Sequence, residues 1–314
     1  MKIKFWGVRG SIPTPVTKTQ LQNKIAAAVQ RIKHDDLISQ ETREAFLANL
    51  PRYIMGTVGG NTTCVEVRLK DNTVCIFDCG SGIREMAHSM KENGDGIKEF
   101  HIFFTHFHWD HIQGLPFFTP HAYDPKCKIN FYSPVENFSE LLKGQMQPPY
   151  FPVSMDVMNA DINYHVLKVE PLILGSAEIR WREMKHPGKS YAYQLTEFGN
   201  KTIFSTDTEL TEKDFHRNDE NRLFFEDADL LIMDSQYTLG EAIEKYDWGH
   251  SSYSIAVDFA VEWNIKKLVL FHHDPFYDDK KMFNILKSSQ WYLKHLEKKD
   301  LEIYLAIEDM ELEV

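Results

Sequence analysis

Between Phe103 and His111 the chain reads Phe-Phe-Thr-His-Phe-His-Trp-Asp-His, so His106, His108, Asp110 and His111 fall within six residues at the end of an apolar run. On an extended segment residues i and i+2 point the same way, which aims the imidazoles of His106 and His108 at one point. Asp110 and His111 lie where the chain can turn and offer a carboxylate and an imidazole to a second point. Nitrogen and carboxylate donors without a thiolate suit Zn²⁺, Mn²⁺ or Fe, and four donors at this spacing are expected to hold metal. The other histidines read differently. His34, His88, His121, His165 and His216 have no donor at ligand spacing and are expected at the surface or in packing, and His101, at the head of the strand, is expected to be structural.

The pattern H-x-H-x-D-H after an apolar strand resembles the signature of the metallo-β-lactamase superfamily, and other stretches resemble that family's motifs in the family's order. The resemblance implies a role for each. Asp78, in Ile-Phe-Asp-Cys-Gly, matches the acidic residue that orients the ligand loop through hydrogen bonds. His186, in Met-Lys-His-Pro, matches the third ligand of a first ion, and Asp207, in Phe-Ser-Thr-Asp-Thr, matches an aspartate that bridges two ions. His272 is the expected last ligand of the second ion, with His273 as the alternative, since adjacent strand side chains point opposite ways. The resemblance thus implies His106, His108 and His186 on one divalent ion, Asp110, His111 and His272 on another, and Asp207 on both. Each imidazole is expected to donate its other N–H to a carboxylate or carbonyl. No organic cofactor is implied.

An aspartate at position 207 resembles the phosphodiesterase branch, whereas many lactamases carry a cysteine there. Gly249-His250-Ser251 resembles the G-H-S motif of the tRNA 3′-end processing endonucleases, whose histidine assists at the phosphate. Asp110, Asp207 and His250 are therefore the residues expected to take part in catalysis. The opening Lys-Ile-Lys-Phe-Trp-Gly-Val-Arg-Gly-Ser, the stretch Gly59-Gly60-Asn61-Thr62-Thr63 and the stretch Gly114-Leu115-Pro116-Phe117-Phe118 resemble a bacterial group of cyclic-nucleotide and cyclic-phosphate phosphodiesterases. The basic, glycine-rich arm with which the endonucleases grip tRNA has no counterpart here. A small cyclic or linear nucleotide is accordingly the expected substrate, ahead of RNA, and a hydroxide bridging two metal ions is the expected nucleophile. A nucleotide- or oxygen-sensing protein that keeps the cluster without turnover is the alternative from outside the enzymes.

Such donors need a scaffold. Strands are expected in KIKFWGV, in TTCVEVRL and TVCIFDCG around a turn at Lys70-Asp71-Asn72, in EFHIFFTH, KINFYS, INYHVLKV, EIRWREMKH, YAYQLTEF, KTIFSTD and DLLIMDS. Helices are expected in IREMAHSMKENG and SYSIAVDFAVEW, and the latter, capped by Ser251-Ser252, opens a final α-β-β stretch completed by KLVLFHH and LEIYLAI. Strand runs with helices between them outline an α/β fold, a four-layer αββα sandwich, as one domain over residues 1–314. Residues 17–50 carry apolar residues at helical spacing, with Ser39-Gln40-Glu41-Thr42 as a cap, and are expected as a helical insertion outside the metal shell. It could serve as a dimer arm or part of a lid. Residues 141–159, rich in Pro, Met and aromatics, are expected as a loop over the cleft.

Composition narrows the partners. Thirty-five basic residues against 46 acidic ones give a formal net charge of −11, which disfavours wide wrapping by a long polyanion but leaves a small phosphorylated ligand open. No apolar run is long enough for a membrane span, and MKIKFWGVRG lacks the features of a secretory leader, so a cytoplasmic protein without membrane contact is expected. Cys64, Cys75, Cys79 and Cys127 form no C-x-x-C pair and are expected as buried free thiols.

Overall fold

The computed structural model describes residues 1–296 and 300–314. Among these residues fourteen strands run β1 (Lys2–Gly7), β2 (Cys64–Arg68), β3 (Val74–Phe77), β4 (Glu99–Phe103), β5 (Lys128–Ser133), β6 (Asp161–Val166), β7 (Leu172–Leu174), β8 (Ala177–Met184), β9 (Ser190–Glu197), β10 (Asn200–Ser205), β11 (Leu230–Asp234), β12 (Lys267–Phe271), β13 (Glu302–Leu305) and β14 (Glu311–Glu313). They form two seven-stranded sheets, ordered β14-β1-β2-β3-β4-β5-β6 and β13-β12-β11-β10-β9-β8-β7. From β3 to β6 the first sheet is parallel, and so is the second from β10 to β13. Helices are α1 (Lys18–Val29), α2 (Gln40–Ala48), α3 (Arg52–Met55), α4 (Gly82–Glu92), α5 (Trp109–Ile112), α6 (Phe138–Gln145), α7 (Glu212–Phe215), α8 (Asp219–Phe225), α9 (Leu239–Glu244), α10 (Tyr253–Glu262) and α11 (Asp279–His295).

Burial on both faces explains the unbroken apolar runs of the central strands. In β3 Cys75 and Phe77 face the second sheet, while Val74 and Ile76 face α4 and α6. Phe77 meets Tyr193 and Phe204 at ring separations of 5.6 and 5.4 Å, and Phe103 meets Tyr193 at 5.5 Å, so these rings join the two sheets. Each ring removed from water contributes about 1.5–3 kcal/mol. All four cysteines are free and buried, as their apolar contexts imply. Among the described residues no helix is long and apolar enough to cross a membrane.

Several elements depart from the sequence reading, which assigned nothing to β7, α7, α8, α9 or β14, and two helices depart most. Between β12 and β13 stands the 17-residue α11, a segment to which sequence reasoning assigned no element. Its buried stripe, Met282, Ile285, Ser289 and Leu293, has a serine in the middle and is set among four lysines, so the periodic signal is weak. Likewise Leu141–Gln145, expected as loop, closes α6, whose Phe138 and Leu142 are buried. In the 17–50 segment α1 and α2 form behind capping boxes at Thr17 and Ser39, and neither helix buries a residue. Lys24 ties α1 to the body through Asp279 and the Gly56 carbonyl.

Candidate metal centre

Six strands deliver polar side chains to one edge of the sandwich from their carboxyl ends, where open α/β sheets bind ligands. Asp78 follows β3, the 106–111 cluster follows β4, His186 follows β8, Asp207 follows β10, Asp234 closes β11 and His272 follows β12. β4 stops at Phe103, so His106 and His108 converge through a loop and not through the strand alternation expected for them. The turn into α5 then presents Asp110 and His111.

The expected donors meet. One ligand atom from each of His106, His108, His186 and Asp207 lies within 4.8 Å of the others, and so does one from each of Asp110, His111 and His272. Asp207 stands between the groups. Its Oδ1 is 3.7 Å from both His106 Nε2 and His186 Nε2, and its Oδ2 is 3.0 Å from His111 Nε2 and 3.1 Å from His272 Nε2. Asp110 Oδ2 lies 3.2 Å from His111 Nε2 and 3.3 Å from His272 Nε2, and it accepts a hydrogen bond from the Ser11 backbone N–H at 2.7 Å. His250 comes within the same reach of Asp207 and His272, a third convergence that the sequence did not imply. His273 is apart, its Nε2 2.9 Å from the Ala306 carbonyl in a buried site that pushes its pKa down to about 3.

Partners on the far ring nitrogens fix which nitrogen faces the centre. His111 Nδ1 lies 2.8 Å from Asp78 Oδ2, and His186 Nδ1 lies 2.9 Å from the Gly249 carbonyl. Both partners only accept, so both Nδ1 atoms carry the proton and both Nε2 lone pairs point inward. His106 departs from the expected carboxylate or carbonyl. Its Nδ1 donates to the Thr105 hydroxyl at 3.0 Å, and that hydroxyl donates to Asp78 Oδ2 at 2.8 Å. Asp78 Oδ1 also accepts the Thr105 N–H at 2.8 Å, so one buried carboxylate steadies both His106 and His111. His272 Nδ1 lies 3.7 Å from Asp234 Oδ2 and makes no hydrogen bond among the described residues.

The donors fit a cation. Burial drives His106 toward the neutral form, and it opposes ionisation of Asp110 and Asp207, yet the imidazoles beside them hold both carboxyls well below their ordinary range. Burial also opposes charge on His111, but Asp207, Asp110 and Asp78 outweigh it and raise its pKa well above normal. A buried imidazole drawn toward protonation by three carboxylates sits where positive charge is wanted. His111 Nε2 makes no aligned hydrogen bond despite its two carboxylate neighbours, as suits a lone pair aimed at an ion.

Strain and close packing mark the same edge. Asp78, Asp207 and His272 have φ of 63°, 47° and 60°, a left-handed backbone that costs non-glycine residues about 1–2 kcal/mol each. A Cβ on Gly10 would stand 2.5 Å from the His272 ring, so only glycine lets the Arg9–Ser11 loop reach Asp110.

His250 lies in the loop before α10, and Ser252 rather than Ser251 is the N-cap. Its Nδ1 sits 2.7 Å from Asp234 Oδ2, and its ring stacks on His272 at 5.1 Å. Burial lowers its pKa, but Asp234 outweighs that and raises it. Asp234 also accepts the Ser251 N–H at 3.1 Å. Sequence reasoning missed Asp234. The one signal was its place at the end of an apolar strand, shared with Asp78.

The 141–159 segment lies against α5, since Gln145 Nε2 donates to the Ile112 carbonyl at 3.0 Å and Phe151 packs edge-on to Phe117 at 6.0 Å. Phe151→Ala is expected to raise KM severalfold with kcat nearly unchanged, the mark of lost uniform binding, in steady-state kinetics on an aryl phosphodiester. A fall confined to kcat would remove the segment from substrate binding.

A family model described as a beta-lactamase superfamily domain matches residues 73–273. The ribonuclease Z of Sulfurisphaera tokodaii is 27% identical over 272 residues, covering 72% of this chain and 88% of the relative. The short form of human tRNase Z superposes with a TM-score of 0.61 at 18% identity, covering 100% of this chain and 99% of that one. A diphosphatase of the PhnP family superposes with a TM-score of 0.62 at 16% identity, covering 99% and 96%.

Proposed function

From the premise that this chain belongs to the beta-lactamase superfamily and has the metallo-β-lactamase fold, we propose that it is a dinuclear metal-dependent phosphodiesterase that cleaves RNA. The observation that carries the proposal is Asp207, whose two oxygens face two separate donor groups while an Asp234–His250 couple stands beside them. His106, His108 and His186 would hold one ion, Asp110, His111 and His272 the other, and Asp207 both. When bound, two divalent ions, Zn²⁺, Mn²⁺ or Fe, would supply charge for the phosphoryl oxygens and a water whose pKa falls from about 15.7 toward neutrality. Asp78 keeps His106 and His111 facing inward. Asp234 aims His250, whose Nε2 can donate a proton to the departing oxygen.

The relatives reverse the sequence-based order of substrates, because likeness to ribonuclease Z supports RNA over a small nucleotide. A small cyclic or linear nucleotide stays as the second candidate on one observation, the net charge of −11 together with an exposed α1–α2 segment of mixed charge. Purified protein with Mn²⁺ or Zn²⁺ can be given precursor tRNA, cyclic AMP and bis(p-nitrophenyl) phosphate. Cleavage of precursor tRNA with kcat/KM about 10²-fold or more above that for cyclic AMP is expected. The reverse ratio selects the small nucleotide. Hydrolysis of none, with both ions bound, would leave a sensing or binding protein.

A further inference from the structure

We propose that Tyr246 and Trp248, together with Trp109, form a stacking platform for the nucleobases on either side of the scissile phosphate. The inference rests on the phosphodiesterase reading and deepens it. These three side chains are 70%, 61% and 78% exposed. They are also next to the centre. Trp109 follows His108, Trp248 precedes Gly249, and His186 joins the two sites, with its Nε2 3.1 Å from His108 Nδ1 and its Nδ1 2.9 Å from the Gly249 carbonyl.

The loop that carries two of the rings is held stiffly. Buried Glu209 accepts the Lys185 ammonium at 2.6 Å and the Asp247 N–H at 3.3 Å through one oxygen, and the Gly249 N–H at 3.0 Å through the other. Lys185 in turn lies 4.4 Å from the centre of the Tyr246 ring, and Lys245 lies 5.8 Å from that of Trp248. Gly249 adopts φ 88°, and a Cβ there would stand 2.3 Å from His186 Nδ1, so the loop presses onto a candidate ligand and cannot drift. Tyr246 and Trp248 are thus held from one side and bare toward solvent, and Trp109 is bare as well. Aromatic faces on a rigid support beside a phosphate site are what single-stranded nucleic acid binds, because every base has a face to stack. A protein partner would select a contiguous apolar patch instead, whereas here Lys245, Asp247 and Gly249 interrupt the rings.

Two substrates with the same leaving group test it: thymidine 5′-(p-nitrophenyl phosphate), which carries a base, and methyl p-nitrophenyl phosphate, which does not. Trp248→Ala is expected to lower kcat/KM for the thymidine ester relative to the methyl ester by about tenfold, the ordinary weight of one base on one ring, mostly through KM. Trp248→Phe should restore most of that ratio. Indole fluorescence of the metal-loaded protein, titrated with a short single-stranded oligonucleotide, should be quenched in the wild type and far less in the Trp248→Ala, Trp109→Ala double variant. Turnover of both esters with an unchanged ratio and unchanged quenching would overturn the platform and keep the phosphodiesterase reading. Quenching by the oligonucleotide without turnover of either ester would keep the platform and overturn that reading. A change of oligomeric state in Trp248→Ala, with the ratio intact, would make this face a protein interface and overturn the inference.

Discussion

Replacing Asp207 with alanine is expected to reduce phosphodiester hydrolysis by about 10³-fold or more and to leave fewer than two equivalents of Zn²⁺ or Mn²⁺ on the protein. A carboxylate that only orients a ligand is worth roughly 10–100-fold. Asp207 is expected to do more, since Oδ1 faces His106 and His186 while Oδ2 faces His111 and His272. Without it the two donor groups lose their shared anion. Alanine at φ 47° also meets steric strain, so Asp207→Gly, which relaxes the backbone, separates chemistry from folding. Both variants should melt cooperatively and both should be inactive. Metal analysis after dialysis, beside rates on bis(p-nitrophenyl) phosphate, decides the matter. Near-normal activity with two equivalents bound in either variant would remove Asp207 from the bridge.

His250→Ala is expected to keep both ions and lower kcat by about 10²–10⁴-fold on a substrate with an alkoxide leaving group. The loss should shrink on a p-nitrophenyl ester, whose leaving group departs without a proton. Asp234 gives the experiment a second arm. Because its carboxylate holds Nδ1 at 2.7 Å, Asp234→Asn should leave the imidazole present but poorly aimed and less basic, with a smaller loss and the same dependence on leaving group. Equal losses on good and poor leaving groups would make His250 a phosphate-binding group. Loss of an ion in His250→Ala would instead make it a ligand, an outcome that its convergence with Asp207 and His272 keeps in view.

The parts of the centre that could be read from sequence are those written locally. His106, His108, Asp110 and His111 follow one apolar strand, and a strand buried on both faces is a continuous apolar run, so β4 and its donors were legible together. Asp234 was not, because a lone aspartate ending Leu-Leu-Ile-Met-Asp has no neighbour in sequence to give it meaning. Its partner stands 16 residues away and meets it only once α10 packs beside β11. Glu209 is hidden for the same reason, since the N–H groups it accepts belong to residues 247 and 249. The helix α11 was lost to Ser289, which interrupts the apolar stripe at its centre. Convergence of His106 and His108 was foreseen, but the cause was a loop, which no periodicity describes.

Both donor groups straddle the two sheets. His106 and His108 come from the first and His186 and Asp207 from the second, while Asp110 and His111 come from the first and His272 from the second. Neither sheet therefore carries a complete donor group, so an ion held there would take ligands from both. Full coordination would require the docked sheets, and ions bound only to that form would add RT ln(1 + [L]/Kd) to its stability. That stability would act on the contact between the sheets, so a chelator should speed their separation more than it loosens either sheet.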